Sequence, residues 1–396
     1  MKILIINAGS SSLKFQIFET DGSEKKLVLL YKGLIDEIGK STSRYREDFG
    51  NKSAENSCAI KNFDEGIRFI IKKSQEHKII KNLDEIKAVG HRVVHGGEKY
   101  SQPIIITAEV EKDIQKLSLL APLHNPANLA AIKSCRKIFK KIPHIAVFDT
   151  AFHQSMPEKA FLYALPYSYY QKMKIRRYGF HGTSHKYVSR ETIQLLKKKQ
   201  SRIVVCHLGN GSSLIALKNG ESIDTSMGFT PLEGVPMGTR SGDIDPAIIF
   251  HLEQTLKISS QAISDILNHK SGLLGLSEMS SDMRTLWGKN EEKGAKRAMS
   301  VLAYRIAKYI GAYTAALNGL DALTFTGGIG ENAWYLRSEI CKYFGYLGLI
   351  LHTQKNRENK VEIHDAKSKI KVYVIPTNEE KQMALELLKK IKTYNS

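Results

Sequence analysis

Two short stretches carry the residue types that hold oxyanions. Residues 9–12 read Gly-Ser-Ser-Ser, and residues 209–213 read Gly-Asn-Gly-Ser-Ser. Glycine lets a backbone come close to a ligand and aim successive N–H groups at it, and serine adds hydroxyl donors. Each stretch taken alone also reads as an ordinary tight turn. The two copies lie at an offset of about 201 residues in a chain of 396, with Gly9 to Leu13 beside Asn210 to Leu214. A device repeated at half the chain length points to a duplicated domain, whose two turns together would clamp a phosphate.

Other candidates stand at the ends of apolar runs. Ile86 to Val94 reads as a strand running into Arg92, His95, Gly96 and Gly97, and open α/β sheets bind ligands at such ends. Taken singly, Arg92 reads as half of a salt bridge and His91 and His95 as parts of a polar network; as a cluster they read as a site. Ile145 to Phe148 is a buried strand followed at once by Asp149, either a metal-associated or catalytic carboxylate or a helix cap. His181 and His185 have the spacing of a zinc pair, but no HExxH pattern or neighbouring cysteine completes such a site. Arg240 lies in a long stretch dense in turn formers, a length that in a compact domain goes with function. Residues 321–342 read strand, glycine-rich turn, helix, an order that turns N–H groups toward an anion. Their GGIGE is neither a Walker A loop nor GxGxxG. Glu379 and Glu380 open a terminal helix and suit its dipole, and Glu379 also has the type and place to reach a cation.

Hydrophobic periodicity supplies the elements that must position these groups. Ile3 to Ile6 and Ile203 to Val205 enter the two turns as β-branched runs. Leu13, Phe15 and Ile17, and Leu214 and Ala216, leave them with strand alternation, so each turn joins a hairpin. Leu27 to Leu34 is a further strand, whereas residues 36–57 are polar without periodicity and read as an exposed excursion. Residues 60–74, 108–120, 258–268 and 294–317 have helical spacing. Asn125 reads as a cap with Pro126 first in its helix, Ser184 as the cap of the helix after the histidine pair, and Asp245-Pro246 as a helix start. Val372 to Ile375 is the last strand. The expected domains are residues 1–149, joined by a terminal helix over about 380–396, and residues 150–379.

Composition narrows the class. With 42% hydrophobic residues the chain has material for two ordinary cores, and no apolar run approaches membrane-spanning length. The first strand begins at Lys2, so no signal peptide and a cytoplasmic location are expected. Cys58, Cys135, Cys206 and Cys341 form no CxxC pair, which argues against disulfides or a cysteine zinc site and suggests buried thiols. The formal charge of +19 invites a nucleic-acid reading. Its lysines, however, fall on predicted helix faces and in doublets or triplets, with acids between them and no aromatic–basic stripe. They read as a solvated surface whose field steers anionic substrates. Neither a nucleic acid nor a membrane is expected as a partner.

NAGSSSLKF (7–15), GHRVVHGGEKY (90–100), PLHNPAN (122–128), DTAFHQSMP (149–157), YGFHGTSH (178–185), HLGNGSS (207–213), MGTRSGDID (237–245), FTGGIGEN (325–332) and PTNEE (376–380) together resemble the acetate kinase family, in order and over nearly the whole chain. The resemblance implies an α/β fold of the acetate and sugar kinase, Hsp70 and actin superfamily, a duplicated ribonuclease H-like fold of two domains around a nucleotide cleft. The implied reaction is reversible, direct in-line transfer of the γ-phosphoryl group of ATP to acetate, giving ADP and acetyl phosphate, with Mg2+ or with Mn2+ in its place. By the same resemblance Asn7 and Glu379 stand at the metal, Arg92 and Arg240 in the substrate site, Asp149 as the catalytic acid residue and His181 as a transition-state stabiliser. Lys14, His207, Leu208, Gly209, Asn210, Gly211, Asp282, Met283, Arg284, Gly328, Ile329, Gly330, Glu331 and Asn332 would contact ATP or ADP, and Val94, Leu123, Phe180 and Pro231 would surround the acetate methyl. A homodimer is implied as well, to which the helix at 294–317 is a candidate contributor.

These residue types suit that chemistry. A carboxylate with a pKa of about 4 is already ionised at neutral pH, so no strong base is required. The difficulty is repulsion between the acceptor and the γ-phosphoryl group, which calls for fixed cations and donors. Asp149 is therefore expected to act by positioning, through the metal's water shell or a nearby arginine, and not as a base. A propionate kinase of the same family is the nearest alternative, then a non-kinase actin-like ATPase, then a basic nucleic-acid binder.

Overall fold

In the computed structural model, which describes residues 1–24, 26–122 and 124–395, the chain divides into two compact units. One comprises Met1–Ala151 with Asn378–Ser396, the other Phe152–Thr377. Among the described residues the first unit holds a sheet of strands β1 (Lys2–Ala8), β2 (Leu13–Thr20), β3 (Leu27–Asp36), β4 (Ser43–Phe49), β5 (Lys52–Cys58), β6 (Ile86–Val93), β7 (Ile104–Ile105) and β8 (His144–Phe148), in the order β5-β4-β3-β2-β1-β6-β8-β7. The second holds β9 (Arg202–Leu208), β10 (Ser212–Lys218), β11 (Glu221–Thr225), β12 (Ala322–Thr326) and β13 (Lys371–Val374), in the order β11-β10-β9-β12-β13. Strands β3-β2-β1-β6-β8 and β11-β10-β9-β12-β13 share one pattern: antiparallel on one side of the first strand, parallel on the other. This is the duplicated actin-like, ribonuclease H-like arrangement.

Both sheets are covered on both faces, so the central strands read as continuous apolar runs. In β1, Ile3 and Ile5 pack under the terminal helix Glu379–Asn395 through Met383, Ala384, Leu387 and Leu388. Leu4 and Ile6 pack on the other face, against Ile67 and Ile70 of the helix Phe63–Glu76 and Ala131 and Cys135 of the helix Asn125–Ile138. In β9, Ile203 and Val205 meet Val188 of the helix Gly182–Leu196, while Val204 and Cys206 face Leu302, Ile306 and Ile310 of the long helix Lys293–Leu317. Burying one such side chain contributes about 1.5–3 kcal/mol.

Several expectations from sequence are corrected. The offset between the copies is 200 on the entry strands (Lys2 to Arg202) and 199 on the exits (Leu13 to Ser212), because the second turn is one residue shorter. Residues 36–57 are not an excursion; most of them form β4 and β5. In β4 Ser43, Tyr45 and Glu47 are buried while Arg44 and Arg46 are exposed, and the buried set is too polar to register as strand alternation. Glu47 is satisfied there by the Tyr31 and Tyr45 hydroxyls, each at 2.5 Å, and lies 3.0 Å from His77 Nε2. The cap before Asn125–Ile138 is His124, because the Asn125 side chain is engaged elsewhere. Likewise His181, in the left-handed conformation, precedes Gly182–Leu196 where Ser184 was expected as cap. Residues 327–332 form a short helix and not a turn. Cys135, Cys206 and Cys341 are buried but Cys58 is only half-buried; all four are free thiols.

Candidate active site

Strand parity gathers the first group of functional side chains. Asn7 shares a face of β1 with Ile3 and Ile5, Arg92 shares one of β6 with Ala88, and Asp149 follows Val147 of β8 in the same alternation, so all three lie on the side of the terminal helix. The three strands run parallel, which places these residues at one edge, the carboxyl ends. Arg92 donates through Nε to both Asp149 oxygens at 3.0 and 3.1 Å, through Nη2 to Oδ2 at 2.5 Å, and through Nη1 to Asn7 Oδ1 at 3.1 Å. Burial works against the Arg92 charge, but Asp149 and Glu379 outweigh it and hold the guanidinium above its usual range. Asn125 and Asn128 fasten the strand end. Their side chains take the N–H groups of His95 (3.0 Å) and Val94 (3.1 Å), and Asn128 Nδ2 donates to Ala8 O at 2.7 Å.

The first turn of the terminal helix supplies the carboxylates. Glu380, which sequence reading gave no role beyond the helix dipole, is 1% exposed and accepts from Lys14, Gln16 Nε2 at 3.3 Å and Asn7 Nδ2 at 3.4 Å. Lys14, itself half exposed, is its ion-pair partner at 2.9 Å. Glu379 has no hydrogen bond or ion pair of its carboxylate among the described residues; burial pushes its pKa up, and Asp149 and Glu380 push the same way against Arg92. Among the described residues no three His, Cys, Asp or Glu side chains form a ready-made metal cage. What does gather is an all-oxygen set, Asn7, Asp149 and Glu379, with one carboxylate left unneutralised beside two others. That fits Mg2+, a hard cation that keeps several waters and takes phosphate oxygens alongside one or two protein ligands.

In the second unit the same parity brings His207 of β9 to the first turn of Gly182–Leu196, where Ser184 Oγ lies 2.8 Å from His207 Nδ1 and 2.7 Å from Thr377 Oγ1. The His181 and His207 rings are 4.5 Å apart. A Cβ added to Gly211 would stand 3.5 Å from both His181 Nε2 and Arg240 Nη1, so those two groups line one small space beside the turn. The loop carrying Arg240 is tied to that turn by Gly238 N donating to Asn210 O at 3.0 Å. Arg240 donates to Pro231 O at 3.3 Å and has no carboxylate partner among the described residues; burial pushes it below its ordinary pKa. Even so an arginine keeps its charge, so the side chain is a desolvated cation without a counter-ion.

Next to these groups is a cavity of about 830 Å3 lined by Gly209, Asn210, Asp282, Met283, Arg284, Gly328, Ile329 and Asn332, together with Ser281, Trp287, Ala333, Trp334 and Tyr335. Its size suits a nucleotide. Trp287 stacks on Tyr335 at 3.8 Å and packs edge-on to Trp334, three aromatics to which sequence reading gave no role. Asp282 caps the helix Met283–Gly288 through the N–H groups of Arg284 (2.9 Å) and Thr285 (3.0 Å). His207, Leu208, Gly211, Gly330 and Glu331, expected at ATP, do not line this cavity, and Lys14 belongs to the first unit. Leu208 is buried in the core, and Glu331 accepts from Gly327 N at 2.9 Å and Thr377 N at 3.2 Å, bracing the loop ends. Arg337, fully buried, donates to Gly330 O (2.7 Å) and Asn356 O (2.8 Å) and braces the short helix from behind. Of the four residues expected around a methyl group, Val94 and Phe180 are buried, Pro231 is half-buried, and Leu123 lies outside the described residues.

Residues 2–385 match the acetokinase family. The chain is 48% identical over 395 residues to an acetate kinase of Thermotoga maritima, covering 97% of both chains. It is 47% identical over 394 residues to one from Clostridium acetobutylicum, again covering 97% of both. Among solved structures it is similar to Porphyromonas gingivalis acetate kinase, with a TM-score of 0.92 at 40% identity over 98% of this chain and 99% of that one. It is equally similar to a propionate kinase of Francisella tularensis, with a TM-score of 0.91 at 40% identity over 97% and 98%.

Proposed function

This chain belongs to the acetokinase family, its reaction is phosphoryl transfer between ATP and acetate, and we propose how its residues carry that reaction out. The observation that carries the reading is the pair His181 and Arg240, a ring nitrogen and a cation without a carboxylate partner among the described residues, each 3.5 Å from where a Cβ on Gly211 would stand. Fixed donors and a desolvated positive charge are what a phosphoryl group needs as negative charge spreads over its equatorial oxygens. Acetate arrives as the anion and needs no base. Asp149 therefore works through Arg92. By accepting from both Nε and Nη2 it fixes the plane of the guanidinium, leaving the remaining N–H groups to orient a carboxylate or phosphate.

ATP and ADP occupy the cavity between Asp282–Arg284 and Gly328–Asn332. Asn7 and Glu379 would hold Mg2+, or Mn2+ in its place, and such a cation would supply neutralisation of phosphate charge. The protein acts in the cytoplasm, and among the described residues no helix is long and apolar enough to cross a membrane. It works as a homodimer. The helix Ala247–Leu256 buries none of its residues and exposes Ile248, Phe250 and Leu256, whereas the helix Lys293–Leu317 is largely spent on the unit's own core.

Propionate is the second reading, favoured by the equal similarity to a propionate kinase structure. One methylene is worth only about 1–3 kcal/mol in a pocket, so the two acids must be compared directly. The test is hydroxamate trapping of acyl phosphate with ATP, Mg2+ and, separately, acetate, propionate and butyrate. Acetate preference supports the reading. Equal or faster reaction of propionate moves the substrate, and ATP hydrolysis without acyl phosphate removes the kinase assignment.

A further inference from the structure

Ser213 Oγ lies 2.9 Å from His181 Nδ1 and 2.7 Å from His185 Nε2, one hydroxyl between two imidazoles. Ser213 and His185 are completely buried, and His185 Nδ1 has no hydrogen-bond partner. Burial, with His153 and His207 acting in the same sense, holds His185 well below its ordinary pKa, so the ring is neutral and carries one proton.

A serine hydroxyl has one proton to give and can accept two, but if both rings donated to Ser213 its own buried proton would have no acceptor among the described residues, so two polarities of the chain of three groups remain. In one, His185 Nε2–H donates to Ser213, Ser213 donates to His181 Nδ1, and the proton of a neutral His181 sits on Nε2. In the other, His181 Nδ1–H donates to Ser213, Ser213 donates to His185 Nε2, and the His185 proton is left on Nδ1. That second arrangement buries an N–H with no acceptor, and orphaned buried N–H groups are the rarer and costlier kind. The first leaves only a bare ring nitrogen.

We propose that His185, acting through Ser213, is a positioning residue that sets His181 in the Nε2–H tautomer and so makes it a hydrogen-bond donor toward the space it shares with Arg240 at Gly211. The inference rests on the reading of His181 and Arg240 as phosphoryl-binding groups. In the opposite tautomer a neutral His181 would turn a lone pair toward an anionic oxygen. The triad logic of hydrolases is similar: a buried group that never touches substrate decides which ring nitrogen carries the proton.

Neutron diffraction from deuterium-exchanged crystals of the full chain reads the proposal directly. The expected result is deuterium on His181 Nε2 and His185 Nε2 and none on His185 Nδ1; deuterium on His181 Nδ1 with a bare Nε2 overturns it. Kinetics supply the second arm. Ser213→Ala should lower kcat about 10- to 100-fold with the KM for ATP within about twofold, and Ser213→Thr should restore most of it. His185→Gln, whose amide Nε2 donates from the same reach, should retain far more activity than His185→Phe. Unchanged kcat in Ser213→Ala overturns the relay and leaves the kinase assignment standing. A parent enzyme that makes no acyl phosphate overturns the assignment, and the positions of the deuterons still decide the relay.

Discussion

The hairpins β1–β2 and β9–β10 share one strand pairing and have opposite electrostatics. Asn7 pairs across the strands with Lys14 as His207 pairs with Ser213, and each pair faces the first turn of the helix packed on that side of its sheet. In the first unit that turn brings Glu379 and Glu380, and most of the charges are paired, Lys14 with Glu380 and Arg92 with Asp149, while the Glu379 carboxylate has no ion-pair partner among the described residues. In the second it brings Ser184 and His185, a hydroxyl and a neutral buried ring that are both hydrogen-bonded, and the nearby cation Arg240 has no carboxylate partner among the described residues. The lesson is that strand register decides where a side chain points, while the neighbouring helix decides whether its charge is already answered.

That contrast is most sharply broken by the two arginines. Arg92→Ala should abolish acyl phosphate formation and also lower unfolding free energy by about 3–5 kcal/mol, since it breaks a buried ion pair with Asp149. Arg240→Ala should cost about 100- to 1000-fold in kcat but shift unfolding by no more than about 0.5 kcal/mol, because no ion pair is lost. Urea melts beside the hydroxamate assay check both, and equal destabilisation would dissolve the contrast.

Acid should act next. His91 and His185 are held by burial well below their ordinary pKa, and His95 is pushed down to about 4. All three are neutral in both states above pH 6.5, so that stability is fully present there. It falls as the pH drops from about 6.5 to 4, where the unfolded chain takes up protons the native state refuses, by up to about 1.4 kcal/mol per pH unit for each group. Two of the three sit in the first unit, so hydrogen exchange between pH 7 and 5 should show larger losses of protection there; the reverse order would count against the assignment.

The smallest structural effect is expected at the second turn. A Cβ on Gly211 meets only ordinary contacts, the nearest at 3.4 Å, so Gly211→Ala should melt with the parent. It would still occupy the space between His181 and Arg240 and lower activity about tenfold, a barrier of about 1.4 kcal/mol. Unchanged kinetics would mean that the phosphoryl group does not pass there.

How much of this was legible follows from what periodicity reports. The duplicated hairpins, the central strands and the long helices are written as runs of apolar residues, because burial on both sheet faces demands them. β4 and β5 were hidden because Ser43, Tyr45 and Glu47 are buried while polar, and no hydrophobic count finds a carboxylate satisfied by two tyrosines. Arg337 was missed for a related reason: nothing in its neighbours announces that it is fully buried against the carbonyls of Gly330 and Asn356.

The sequence by itself determined the family, the repeat and the residue types, since motif order and strand alternation are properties of the linear chain. It also placed Arg92 and Asp149 at strand ends. Only the tertiary structure decided which of these charges are answered. Asp149 lies 57 residues from its arginine, Lys14 lies 366 residues from Glu380, and Ser213 reaches two histidines across 28 and 32 residues. Pairings at such separations are set by sheet register and by which helix closes over the sheet, and those are decided by packing the whole core at once.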